Sequence, residues 1–242
     1  MPPSAHERTL LHAGQTVAAL LHACPQLPAG VHAFALERCE RGGERPVLAA
    51  MSEIAGRLAV LAASQALSRA AGGLGLLLGG VPGVAPARVA IIGAGVAGRA
   101  AAETACALGA DVEVLDTEVG RLRTFRVRGA RTLFATPHAI ERALVGADVV
   151  IAAVRDNQGA SPRIGTRAHL SLLQPGAVIV DLSILDGGAF ESTPVTSTEN
   201  PAVIVDGIVH VGVPNFAGSV PKTSSVALSL AALPHLLAAL GA

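Results

Sequence analysis

Six residues, Gly93-Ala94-Gly95-Val96-Ala97-Gly98, and an aspartate twenty-three positions past the first of them, Asp116, carry the most chemistry for their number. Gly93 permits a tight turn. Gly95 lets the backbone come up against a pyrophosphate, and Gly98 lets a helix pack closely on the strand before it. Val96 and Ala97 open that helix, whose first N–H groups and partial positive charge favour phosphate. A carboxylate at Asp116 accepts hydrogen bonds from ribose hydroxyls and repels a 2′-phosphate, so the dinucleotide that fits is NAD rather than NADP. Arg121, five residues on, is placed to stack on adenine or touch a phosphate, although a solvated helix face gives the same pattern.

The elements that must position these residues are legible around them. An apolar run, Val89 to Ile92, precedes the glycines, and a second, Val112 to Leu115, leads into Asp116. Further strands are predicted at 132–135, 148–154, 177–182 and 203–211. Helices are predicted at 96–108, 117–127, 138–146, 166–173 and 222–240. Such alternation implies a parallel, doubly wound α/β sheet of the Rossmann kind. Ligands of these sheets lie beyond the carboxyl ends of the strands. Ala153, Val154, Leu182 and Val213 therefore join the candidate cofactor contacts, in or next to the strand-end stretches Val154–Asn157, Asp181–Asp186 and His210–Asn215. Before this domain, 9–22 shows helical apolar spacing, 31–37 alternates like a strand, and Pro46 to Ala71 reads as one long helix ended by Gly72-Gly73.

The chain has 242 residues, 51% of them apolar and 15% charged, with a formal charge of zero. This is a folding, core-forming composition, and nothing in it points to nucleic acid or an anionic membrane. Residues 71–87 and 224–242 are apolar, but glycines and prolines in the first and Pro234-His235 in the second argue against membrane spans. Cys24, Cys39 and Cys106 have neither disulfide-framework nor zinc-site spacing. No charged-then-apolar leader is visible, so a reduced cytoplasm is the expected location. No metal is expected. Lys222 is the one lysine beside seventeen arginines, and there is no Trp or Tyr.

MSEIAGRLAV (51–60), LLLGGVPGVAPARVAIIGAGVAGRAAA (76–102), VIVDLSILDGG (178–188) and GIVHVGVPNFAGSVPKTSS (207–225) together strongly resemble the alanine dehydrogenase family, whose fold is shared by the NAD-binding domain of proton-translocating transhydrogenase. The resemblance runs from about Thr9 to the C-terminus. It implies two lobes: a reduced substrate lobe from 1–50 and 222–242, and an NAD-binding domain from 51–221 that includes the linking helix 51–71. It implies cofactor contacts at Ser52 and Asp116, and places Asn215 of the VPN motif beside the nicotinamide. LLHAG resembles the segment that supplies the family's catalytic histidine, here His12. Histidine suits proton transfer near neutrality.

Two departures stand out. The family's substrate-gripping lysine has no counterpart ahead of Lys222, which opens the last helix and could itself bind a carboxylate. The family's functional carboxylate falls on Leu185, with Asp186 one position later. Asp186, Asn215, His12 and Lys222 are thus the candidate catalytic set. Each also has a plain structural role open to it: turn, turn cap, core histidine, helix start.

The reading is an NAD-dependent oxidoreductase of the alanine dehydrogenase type, acting on a small amino acid, imine or 2-oxo acid other than L-alanine, and forming a homo-oligomer through the apolar 224–240 helix. Two alternatives stay open. One is an NAD-dependent cyclodeaminase with no net redox change. The other is a non-catalytic NAD-binding subunit completed by a partner.

Overall fold

The computed structural model describes residues 4–19, 26–156 and 160–240. Leu20, Leu21, Cys24, Pro25 and Asn157 lie outside them. The chain divides into two compact units, 1–51 with 220–242, and 52–219.

The larger unit is built on a seven-stranded sheet. Its strands are β3 (Arg88–Ile92), β4 (Asp111–Asp116), β5 (Ala130–Phe134), β6 (Val149–Ala152), β7 (Val178–Asp181), β8 (Ala202–Val205) and β9 (Ile208–Val211), in the order β5-β4-β3-β6-β7-β9-β8. All neighbours run parallel except the β8–β9 pair. The order reverses between β3 and β6, the point at which a doubly wound sheet opens a crevice.

Strands buried on both faces need apolar side chains on both, and β6, β7 and β9 are buried at every position. Along β3, Val89 and Ile91 enter one core layer with Ala59, Val60 and Ala63 of α2 (Pro46–Ala66) and Ala101 and Ala105 of α3 (Val96–Ala107). Ala90 and Ile92 enter the opposite layer with Ala143 and Leu144 of α5 (Pro137–Leu144), Leu170 and Phe190. α4 (Val119–Thr124) follows β4 and is shorter than the predicted 117–127. The predicted helix 166–173 is a 3-10 helix, Arg167–Leu172.

The predicted single strand 203–211 is a hairpin instead. Its two-residue turn is Asp206-Gly207, at φ +50° and +79°, and Val205 pairs with Ile208. Positive φ at both central residues is what a type I′ turn demands, and Asp-Gly supplies it at little cost. The result is an antiparallel edge on an otherwise parallel sheet.

The smaller unit corrects a second expectation. Residues 9–19 are not helical beyond Thr9. After α1 (Ala5–Thr9) the chain loops and forms β1 (Thr16–Ala19), which pairs in parallel with β2 (His32–Ala35). β-branched Thr16 and Val17 suit a strand, and the pairing with His32 and Ala33 overrides the helical spacing. Leu36, Cys39, Val47 and Ala232 form this unit's small core. Its last helix, α6 (Pro221–Leu240), leaves Val226, Leu230, Leu233 and Leu237 exposed, spaced four, three and four residues apart. α2 is long and apolar enough to cross a membrane by length and composition, a property not anticipated from the sequence. It carries Glu53 and Arg57, which pair with each other at 2.8 Å, and it buries Ala59, Val60 and Ala63 against the sheet.

Candidate functional site

The glycine loop has the geometry its spacing implies. Gly93 has φ +110°, and a Cβ there would overlap the Ala153 carbonyl oxygen. A Cβ on Gly98 would overlap the carbonyl oxygen of Gly93 itself, so the first turn of α3 sits directly on the loop. Gly95 is different: nothing lies within 4 Å of where its Cβ would be. It is the N-cap residue of α3, and no side chain caps it. The helix end therefore presents unfilled backbone donors to open space, the cradle an anion requires. On α2, Gly56 packs against the Ala97 carbonyl, and Ser52 lies one turn away on the same helix face.

Asp116 ends β4 almost fully buried. Its Oδ2 accepts the Ala94 N–H at 2.6 Å and its Oδ1 accepts the Glu118 N–H at 2.7 Å. The Arg121 guanidinium stands 3.6 Å from the same carboxylate. The aspartate thus holds the glycine loop in place, a task the motif alone did not suggest. A carboxylate has about four lone-pair sites, so ribose hydroxyls can still be accepted.

Across the reversal point, the β6 and β7 loops are tied together. The Ser183 hydroxyl donates to the Val154 carbonyl at 2.6 Å, and Leu182 N–H donates to Ala152 at 2.9 Å. Asp181, wholly buried at the end of β7, accepts three backbone N–H groups, from Ser183 at 2.9 Å, Ala189 at 2.7 Å and Phe190 at 3.0 Å. Burial pushes its pKa up, and those three donors pull against it. Arg155 reaches Asp186 at 3.2 Å. Leu185, on which the family's carboxylate falls, is half exposed, whereas Asp186 is drawn partly under cover.

The remaining candidates fall in both units. Val213 is buried. The Asn215 Oδ1 accepts the Gly218 N–H at 3.1 Å and so caps the short turn that follows, with the residue itself exposed. His12 and Lys222 belong to the smaller unit. His12 is exposed in the loop before β1, not on a helix, with its backbone N–H donating to Gln15 Oε1 at 2.8 Å. Lys222 is exposed in the first turn of α6. Asp181, Ser183, Arg155 and buried His210 were not singled out from sequence, although all four fall in or beside the strand-end stretches. No cluster of metal-binding side chains occurs among the described residues.

A reversed strand order with an open glycine cradle beside it defines a dinucleotide-binding type of α/β unit. Residues 59–241 match the family model "Alanine dehydrogenase/PNT, C-terminal domain". The chain belongs to this alanine dehydrogenase/transhydrogenase family and is dehydrogenase-like. It is 44% identical to an alanine dehydrogenase of Halomonas elongata over 98% of this chain and 67% of that protein. It is 39% identical to one of Mycobacterium tuberculosis over 97% and 66%. Among solved structures it is similar to an L-alanine dehydrogenase, with a TM-score of 0.89 at 37% identity over 98% of this chain and 69% of that one. It is also similar to a transhydrogenase from Sinorhizobium meliloti, at 0.81 and 28% over 97% and 71%. The chain spans about two thirds of the length of these relatives.

Proposed function

We propose that the chain is an NAD-dependent oxidoreductase of the alanine dehydrogenase type, acting on a small amino acid, imine or 2-oxo acid. The open cradle at Gly95, beside a strand-end aspartate that already grips the glycine loop, carries this reading. When bound, NAD supplies the hydride acceptor and donor. Gly93, Gly95, Val96, Ala97 and Gly98 hold the pyrophosphate. Asp116, with Arg121 beside it, takes the ribose, and Ser52 adds a hydroxyl from α2. Ala153, Val154, Leu182 and Val213 offer apolar contact to the nicotinamide half, and Asn215 orients its carboxamide. His12 moves the substrate proton, and Lys222 attracts a substrate carboxylate. The location proposed is cytoplasmic.

The same observations support a second reading, an NAD-binding subunit completed by association. Leu185 in place of a carboxylate and the exposed four-residue apolar row on α6 favour it. In both readings that row makes a homo-oligomer, which light scattering checks.

Titration of NADH fluorescence tests the cofactor. The protein has no Trp or Tyr, so its own background is small. Saturable enhancement is expected, followed by turnover with members of an amino-acid and oxo-acid panel that includes L-alanine. No enhancement up to millimolar NADH would remove the dinucleotide reading altogether. Binding without turnover would favour the subunit.

A further inference from the structure

We propose that Ser183 is a positioning residue for the nicotinamide half of the site, its hydroxyl setting how far the crevice opens beyond β6 and β7. The proposal rests on the dinucleotide reading, because that reading puts the nicotinamide over those two strand ends.

The pairing of β6 with β7 runs out at the crevice. Its last register pair is Ala152 with Asp181, and the Leu182 N–H still donates to the Ala152 carbonyl at 2.9 Å. In a parallel ladder the next acceptor on that side is two residues on, the Val154 carbonyl. It takes a side chain instead: the Ser183 hydroxyl donates to it at 2.6 Å. Ser183 is held in turn by three backbone bonds. Its N–H donates to Asp181 Oδ1 at 2.9 Å, and its carbonyl accepts the N–H groups of Asp186 at 2.9 Å and Gly188 at 3.0 Å. The residue is buried, so the hydroxyl has a fixed origin and fixes Val154 from it.

On its other side Val154 meets the glycine loop. A Cβ built on Gly93 would stand 3.4 Å from Val154 Cγ1 and would overlap the Ala153 carbonyl oxygen. One line of contacts thus runs from the loop after β7, through the hydroxyl and Val154, to the turn proposed to cradle the pyrophosphate. The spacing between the two halves of a dinucleotide is set along that line. Ser183 acts through Val154 and does not itself touch the ligand. Alanine at 183 keeps the three backbone bonds and removes one oxygen. It leaves the Val154 carbonyl without its donor and the nicotinamide half free to shift. The other half, assigned to Gly93–Gly98 and Asp116, keeps its own bonds.

The test uses two ligands that share pyrophosphate and adenosine, NADH and ADP-ribose, the second lacking the nicotinamide. Each is titrated calorimetrically into the full chain. S183A is expected to weaken NADH by about threefold to tenfold, the usual net worth of one hydrogen bond, and to leave ADP-ribose within about twofold of the parent. S183T keeps the hydroxyl and should hold NADH at the parent affinity. A merely structural serine would move both ligands together or neither. NADH affinity unchanged in S183A, or equal losses for NADH and ADP-ribose, overturns the positioning role. So does an S183T chain with the parent's thermal midpoint that binds NADH as weakly as S183A. A parent chain that binds neither ligand overturns the dinucleotide reading, and the role of Ser183 falls with it.

Discussion

Acidification should unfold this protein through a histidine that the proposed chemistry does not use. His210, on β9, is wholly buried. Its Nδ1 lies 2.9 Å from Thr193 Oγ1, and its Nε2 has no hydrogen-bond partner among the described residues. Burial holds its pKa down to about 4 from the ordinary 6.5, and the field of Asp206 offsets only part of that. Asp206 is itself paired with Arg167, at 2.6 and 2.9 Å. Between those two pKa values the unfolded chain binds a proton that the folded chain refuses. Stability is therefore complete above about pH 6.5 and falls as pH drops toward 4. A gap of about 2.5 in pKa, at about 1.36 kcal/mol each, sets a ceiling of about 3.4 kcal/mol. The same two values give a loss of about 2 kcal/mol between about pH 7 and pH 5. Asp181 works in the opposite sense, since its raised pKa makes the folded chain take up a proton first as pH falls. A difference measurement cancels it. Urea unfolding at both pH values should show the parent losing about 2 kcal/mol more than the double variant Thr193→Val/His210→Leu, which removes the histidine without stranding the hydroxyl. Equal losses in the two chains would refute a neutral, buried His210.

The glycine loop separates stability from binding. Gly95→Ala enters open space and should leave the urea midpoint unchanged while abolishing NADH enhancement. Gly98→Ala meets the Gly93 carbonyl and should also cost about 1–3 kcal/mol. Parent-like NADH affinity in Gly95→Ala would mean that this loop does not cradle the pyrophosphate. Asp181→Asn turns an acceptor of three N–H groups into a side chain that must present an NH2 to some of them. It should cost about 2–3 kcal/mol, and a shift within the error of the unfolding curve would show that the loop after β7 holds itself. His12→Gln, measured on the substrate found in the panel, should lower kcat by about a hundredfold or more with NADH affinity intact. An unchanged kcat would take His12 out of proton transfer.

The sheet was legible because parallel strands buried on both faces must be written as short apolar runs, and β3, β6 and β7 are. The segment 203–211 is just as apolar at both ends. Its break lay in the Asp206-Gly207 dipeptide, whose turn chemistry outweighs the continuity of the run. Residues 9–19 misled for the opposite reason. Their spacing fits a helix, but the deciding contact for Thr16–Ala19 is a strand sixteen residues on, which periodicity does not report. His12 moved with that correction from a helix face to a loop. The Arg155–Asp186 pair joins residues thirty-one positions apart, so one sequence could place each at a strand end without bringing them together.

Asp116 shows why a motif names a residue more easily than its work. The spacing marked it as a ribose ligand, while the structure gives both its oxygens to backbone N–H groups, one of them in the glycine loop. Loss of NADH binding in Asp116→Ala would follow from either role. The two are separated by the ligand. NADH lacking the adenosine 2′-hydroxyl removes the hydrogen bond that the ribose role requires and leaves the loop untouched. If Asp116 accepts that hydroxyl, the parent binds NADH more tightly than the 2′-deoxy compound by about tenfold or more. Asp116→Ala then binds the two alike, both weakened by the slackened loop. Discrimination that survives in the variant would refute the ribose role and leave Asp116 as the residue that anchors Ala94.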